Sequence, residues 1–264
     1  MNVTARGLAE AATHRFVFRR KLPPPYQQVR IFVSSESGLR YLKPRLTNVD
    51  PSLLRLVTEF VRRGSTVWDI GANVGLFAFT AAQRSGSEGR VVAVEADTWN
   101  VALLRRSALQ RTASDSASVD VVPAAVSDGV GFARFHIAVR SRSTNHLDGY
   151  GTTQTGGVRQ THIVPTVTLD HLLNYFPAPD VVKIDIEGAE ALALAGATSV
   201  LKLCPVILCE VAAENADAVR DLLVPHGYRF YDGDLAGLRS PVDHPPYSTV
   251  ALTHDGSGEP VSAS

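Results

Sequence analysis

Cysteine is scarce in this chain of 264 residues: there are two, Cys204 and Cys209. That excludes a disulfide framework. On one strand, at roughly 3.3 Å per residue, they would also stand too far apart to bridge. Long apolar runs are missing too. None approaches the roughly 20 residues of a membrane span, so no membrane partner is expected. The first residues lack the apolar core of a signal peptide, and the expected setting is a reducing cytoplasm. Lysine is rare, four against twenty-two arginines, and formal net charge is zero. Basic residues are not interleaved with stacking aromatics, so no nucleic-acid partner is expected.

What is present is an ordinary globular balance, 45% hydrophobic and 20% charged. The length suits one domain with a small appendage and buries a core without staples. Charge is unevenly spread. Residues 1–46 hold nine Lys or Arg and two Asp or Glu; the remainder holds seventeen and twenty-four. This describes either a basic arm lying on an acidic body or a basic lid that attracts an anionic, sugar-phosphate-like substrate.

Residues 1–22 read as a short helix ended by Pro23-Pro24-Pro25, and Val29–Val33 as a strand. Asp50 or Ser52 caps a helix through Leu53, Leu54, Val57, Phe60 and Val61, whose spacing gives one apolar face. The body then alternates. Strands are expected at Thr66–Ile70, Arg90–Glu95, Ser118–Val122, Val181–Ile186, Val206–Val211, Tyr228–Tyr231 and Thr249–Thr253. Helices are expected at Val74–Arg84, Thr98–Gln110, Ala189–Leu201 and Asn215–Val224. Short apolar strands between helices predict a mostly parallel sheet covered on both faces. Gly131–Val139 and Thr161–Thr168 break the rhythm as a β-hairpin insertion, joined by a polar loop over 140–160. A loop that long is a candidate cover. Residues 255–264 read as a flexible tail.

The most informative segment runs from Val67 to Gly75. A buried strand enters a turn with Gly71 and Gly75 and then an apolar helix. Gly71 permits close backbone approach, and the helix amides favour negative charge. Twenty residues on, the next strand ends in Glu95, placed to accept from ribose hydroxyls. Alone, each is a turn glycine or a solvated strand end; in this order they describe a site for a nucleoside-containing cofactor. A dinucleotide turn has glycines where this chain has Asn73 and Leu76. The pattern therefore favours S-adenosylmethionine over NAD.

A second cluster, Lys183-Ile184-Asp185-Ile186-Glu187-Gly188-Ala189-Glu190, closes another strand. If the two strands are neighbours, their ends meet at a topological switch point. Alternation sends Lys183 and Asp185 to one side. Glu190 reads as a helix-start acid. Lys183 is either a salt-bridge partner of Asp185 or a functional amine.

The order of these segments carries a resemblance. The Asp69–Gly75 turn, Glu95-Ala96-Asp97 with Asn100, Pro123–Asp128, Thr168-Leu169-Asp170, and Lys183–Glu190 with Glu210 are similar to the FkbM family of S-adenosylmethionine-dependent methyltransferases over roughly 64–212. Ala96 departs from the proline common there. The resemblance implies a class I methyltransferase (Rossmann-like) α/β fold: a seven-stranded, mostly parallel sheet, one strand antiparallel near the end, helices on both faces. The expected layout is a basic N-terminal arm over 1–50, a methyltransferase domain over 51–254 and the tail. Asp69, Gly71, Ala72, Asn73 and Gly75 would surround the methionine part of the cofactor. Glu95, with Ala96 and Asn100 beside it, would hold the ribose, Ala125 and Val126 would flank the adenine, and Asp185 would lie beside the methyl group. The family implies O-methylation of a small-molecule hydroxyl acceptor, a sugar or secondary metabolite.

Such an acceptor needs a base, for which Asp185, Lys183 and His146 are the candidates. A Mg²⁺ site built from Asp185, Glu187 and Glu210 is a further option, though no tight ligand spacing demands a metal. The rivals are an NAD-dependent oxidoreductase and a non-catalytic cofactor-binding protein of the same fold. Residues 1–45 and 140–160 are expected to cover the cofactor and shape the acceptor pocket.

Overall fold

The structure, a computed structural model, describes residues 16–43, 46, 49–110, 115–139, 141–151, 156–235, 237 and 240–253. The tail expected over 255–264 lies outside the described residues, as do the first fifteen residues of the helix expected over 1–22. The described end of that segment is strand β1 (Val17–Lys21), paired antiparallel with β2 (Arg30–Ser34). The pairing wins over local helix propensity because β2 lies on a helix of the body, where the Phe32 amide donates to Ser107 Oγ at 2.8 Å.

Helix α1 (Pro51–Phe60) starts at Asp50, whose carboxylate accepts the Leu53 amide at 3.1 Å. The chain continues through β3 (Thr66–Ile70), α2 (Leu76–Ser85), β4 (Arg90–Val94), α3 (Thr98–Ala108) and β5 (Ser118–Val122). Then come β6 (Ala125–Val126), β7 (Gly131–Ala138), β8 (His146–Leu147), β9 (Val158–Val167) and α4 (Leu169–Leu172). Last are β10 (Val181–Ile184), α5 (Glu190–Ala195), α6 (Thr198–Leu201), β11 (Val206–Glu210), α7 (Ala216–Leu223), β12 (Tyr228–Asp232) and β13 (Ser248–Thr253). The single helix expected over 189–201 is two: the Gly196 carbonyl accepts the Asp170 amide at 3.0 Å, and the Asp170 carboxylate caps the second helix through the Ser199 and Val200 amides, both at 2.9 Å.

Seven strands form one mixed sheet in the order β12-β13-β11-β10-β3-β4-β5. The five from β11 to β5 are parallel, and β13 runs antiparallel between β11 and β12. Alternate side chains feed two cores. Val67, Val91, Ala93, Val181 and Leu208 join α1, α2, α3 and the arm. Trp68, Ile70, Val92, Ile184 and Ile207 join the layer built from α4 to α7. Both faces are covered, which is why these strands read as continuous apolar runs. A smaller sheet, β6-β9-β7-β8, stands at one end and is the expected hairpin insertion. Among the described residues no helix is long and apolar enough to cross a membrane.

One arginine bridges arm, insertion and body at once. Arg142, in the loop after β7, donates from Nη1 to both Asp97 oxygens at 2.7 and 2.8 Å and from Nε to Glu36 at 2.8 Å. Arg159 reaches the same Glu36 oxygen at 3.2 Å, and Asn145 Nδ2 donates to Asp97 at 2.7 Å. These pairs run opposite to the charge asymmetry, with an arm carboxylate on body arginines. Asp97 is fully buried and also caps α3 through the Trp99 amide. Removing one member of a buried pair leaves an uncompensated charge and costs about 3–5 kcal/mol. Arg142→Ala should therefore lower unfolding free energy by about that amount in urea, and cleavage between 139 and 157 should quicken. Unchanged stability and cleavage would show that this arginine does not hold the cover.

Candidate functional site

Strand register sets the site. Ile70 pairs with both Val94 and Ile184, and Ile184 with Cys209. The next residues on these strands, Gly71, Glu95, Asp185 and Glu210, therefore form one row along the carboxyl edge. Chain order reverses between β3 and β10, so this is the switch point where open α/β sheets bind ligands.

The glycine turn is fixed by sterics. Gly71 has φ +78°, and a Cβ there would sit 2.0 Å from Asp185 O. Gly75, at φ +89°, packs against Phe79 and Leu104, where a Cβ would meet their carbons at 2.6 and 2.8 Å. The Gly71 and Ala72 amides donate to Val94 O at 2.9 and 3.0 Å, pinning the turn to β4. Glu95 completes the pinning: Oε2 accepts the Asn73 amide and Oε1 the Asp97 amide, both at 2.7 Å. Burial pushes the Glu95 carboxyl up to about 8, against the pull of those two amides. Each carboxylate oxygen has a second lone pair, so the staple leaves capacity for two further donors.

Lys183 sits in the row's centre. Its Nζ lies 3.1 Å from Asp185 Oδ2, 3.4 Å from Gly71 O and 3.4 Å from Asp69 Oδ1, the last without hydrogen-bond geometry. Burial would strip its proton, but Asp185, Asp69 and Glu210 more than offset this and hold its pKa above the ordinary lysine value. Lys183 is thus held as a cation, and that paired charge disfavours it as a base. Glu187, at φ +55°, is pushed up to about 8 by burial and by Asp185, Glu210 and Glu190. Glu190 accepts the Gly188 amide at 2.9 Å and the Ile186 amide at 3.4 Å, a turn-holding role.

A cavity of about 500 Å³ opens over this row. Of the residues singled out from sequence, Gly71, Ala72, Asn73, Glu95, Ala96, Ala125, Val126, Lys183 and Asp185 line it. Four do not. Asp69 is fully buried behind Lys183, and Gly75 lies under Phe79 and Leu104. Asn100 is turned to the arm, where Ser37 Oγ donates to its Oδ1 at 2.7 Å. His146 packs on His136, ring centroids 5.4 Å apart, with Nδ1 3.1 Å from Thr144 O. Its neighbours Asn145 and Leu147 face the cavity, and alternation along β8 turns His146 away. A loop histidine delivered as the base is therefore not what this structure shows.

The cavity also takes Gly38, Arg40 and Tyr41 from the arm and Ser141 to Asn145 from the insertion. Arg142 and Asn145 went unnoticed in the sequence. Both sit in the loop flagged by its length, but their partners are 45 to 106 residues away. The lining fits a nucleoside carrying an amino acid tail. Asn73 Oδ1 is buried without a hydrogen-bond partner, an acceptor for an ammonium, and the Gly71 cradle admits backbone approach. Among the described residues no group of three or more His, Cys, Asp or Glu converges to hold a metal.

No curated protein matches. Solved structures overlay weakly. A methyltransferase FkbM from Methylobacillus flagellatus has 17% identity and TM-score 0.37, covering 60% of this chain and 39% of its own. The chain thus spans about two-fifths of that protein's length. A precorrin-6y C5,15-methyltransferase from Geobacter metallireducens has 15% identity and TM-score 0.42, covering 80% and 87%. An Aeropyrum pernix fibrillarin with natively bound S-adenosyl-L-methionine has 12% identity and TM-score 0.39, covering 72% and 66%. The family model described as Methyltransferase FkbM domain matches residues 69–230. That match takes in more than half of the chain, from the last residues of β3 to β12, and by it the chain belongs to the FkbM methyltransferase family.

Proposed function

We propose that this protein is an S-adenosylmethionine-dependent O-methyltransferase acting on a hydroxyl of a small molecule, a sugar or secondary metabolite. The observation that carries the reading is the shared wall. The glycine turn and the Glu95 carboxylate meet at one side of a cavity whose size lies within the roughly 300–1,000 Å³ of small-molecule sites. Glu95 would accept the ribose hydroxyls, Ala125 and Val126 would flank the adenine, and Asn73 Oδ1 would take the ammonium. When bound, the cofactor supplies a methyl group already activated on a sulfonium. The protein's work is then to position the acceptor and take its proton. Asp185, held by Lys183 through Oδ2, is the base of this proposal. An NAD-dependent reaction is disfavoured because Leu76 and Asn73 replace two glycines of the dinucleotide turn. Isothermal titration tests the reading: S-adenosylmethionine should bind and NAD should not. Binding of NAD alone would overturn it.

Ribose hydroxyls donate to the charged form of Glu95, so binding should lower its pKa and release a proton. Adenosine has no group titrating near neutrality. Its affinity should therefore rise as pH rises toward about 8 and level off above, once Glu95 is already ionised in the free protein. Glu95→Gln should abolish that dependence and weaken binding by about 1.5–3 kcal/mol. Titration at several pH values checks it; a flat profile in the unsubstituted protein would detach the ribose from Glu95.

Asp185→Asn keeps shape and removes proton uptake. Turnover should fall about 10²–10⁴-fold at a temperature where the variant stays folded, while its melting temperature drops because the Lys183 ammonium loses a carboxylate partner, and cofactor affinity changes little. A mass-spectrometric methylation assay checks this. Full turnover would leave Asp185 as a lysine partner only.

A further inference from the structure

A second cavity, about 190 Å³, adjoins the first. The two share Asp50, Leu53, Phe77, Lys183 and Glu210, so they meet beside the ammonium that holds Asp185. The smaller one is a slot between α1, the exposed row end of β10 and β11, and the segments flanking β12 and β13. Its walls are largely apolar, from Leu53 and Leu56 of α1, Phe77 of α2 and Leu208 of β11. Polar groups stand at its rim. Tyr247 donates its hydroxyl to Glu210 Oε2 at 2.7 Å, and Asp234 lies in the turn after β12. Arg55 of α1 donates to the carbonyls of Gly233 and Leu235, fixing that turn across the slot.

Charge narrows the occupant. Carboxylates of Asp50, Glu210 and Asp234 border the slot, and Asp185 and Glu187 line the larger cavity beside it. The facing cations are engaged: Lys183 by Asp185 and Asp69, and Arg40 by Asp50 at 3.9 Å. Arg55 spends its donors on backbone carbonyls. An anion entering here would face several carboxylates in a low-dielectric crevice, and the cations that line it, Lys183 and, at the larger cavity, Arg40, already carry carboxylate partners. The crowding of negative charge is also felt by Glu210, whose carboxyl is raised by burial and by Asp185.

Resting on the methyl-transfer reading above, we propose that this slot seats the acceptor, and that the acceptor is a hydroxylated ring compound without an anionic group. Its apolar body occupies the slot and its reacting hydroxyl stands at the shared mouth, beside Asp185. The slot thereby excludes phosphorylated and carboxylated molecules, contrary to what the basic arm suggests from sequence.

Three probes with one hydroxyphenyl ring test this: tyramine, tyrosol and 4-hydroxyphenylacetate, one cationic, one neutral, one anionic. Saturation-transfer NMR at millimolar concentration reads binding to the protein without cofactor, so this proposal and the cofactor reading fail separately. Tyramine and tyrosol should bind, and the carboxylate at least about tenfold more weakly. Leu56→Trp fills the slot and should remove probe binding while S-adenosylmethionine affinity persists. Should that variant fail to fold, the paired substitution Glu210→Gln with Asp234→Asn keeps side-chain volume and should bring the carboxylate up toward tyrosol. The proposal is overturned by no binding of any probe, by equal or tighter binding of the carboxylate, by probe binding in a folded Leu56→Trp protein, or by unchanged discrimination in the paired variant.

Discussion

The buried ammonium of Lys183 is the interaction on which the site depends. It lies between two neighbouring parallel strands and touches the end of each: Asp69 and the Gly71 carbonyl on one, Asp185 on its own. A cation so enclosed is stable only with its carboxylates in place. Asp185 in turn is held where the row of strand ends meets the cavity. The glycine at 71 has the same origin, because the Asp185 carbonyl occupies the space a side chain would need. Strand pairing, turn shape and the placement of the Asp185 carboxylate are thus one packing problem with one solution.

Around that centre the cavity is assembled from distant parts. Glu95 links the turn to the end of its strand, Asp97 two residues on caps a helix, and the Asp97 carboxylate receives Arg142 and Asn145 from the insertion. Arg142 carries the chain of contacts on to Glu36 in the arm. The arm and insertion residues that line the cavity are therefore tied, through Asp97, to the backbone that pins Glu95. Charge decides the other end. The rim beside Asp185 is acidic, with Asp50, Glu187 and Glu210, whereas the wall at the glycine turn is dominated by backbone and small side chains.

The inner strands of the main sheet were legible because burial on both faces forces apolar runs, as along Arg90–Val94, and Thr66–Ile70 and Ser118–Val122 also fall where the sequence puts them. The turn and Glu95 were legible because glycine sterics and strand spacing are local. What escaped is tertiary. The strand at Val17–Lys21 exists because a partner lies across a hairpin, and the break at Gly196 because Asp170 binds the chain there and caps the next helix. Arg142 and Asn145 look like any polar loop residues until Asp97 is folded against them. His146 illustrates the converse: its loop was rightly singled out, but one step of alternation turns the ring from the cavity.

The central claim is that the cavity over the row of strand ends holds S-adenosylmethionine with its ribose on Glu95 and its sulfur toward Asp185. A crystal structure with S-adenosylhomocysteine tests it most directly. The account predicts ribose hydroxyls within hydrogen-bond distance of Glu95, the amino acid tail at the Gly71–Asn73 turn and the sulfur facing Asp185. A nucleoside lodged elsewhere, or one placed here with its ribose away from Glu95, would contradict it.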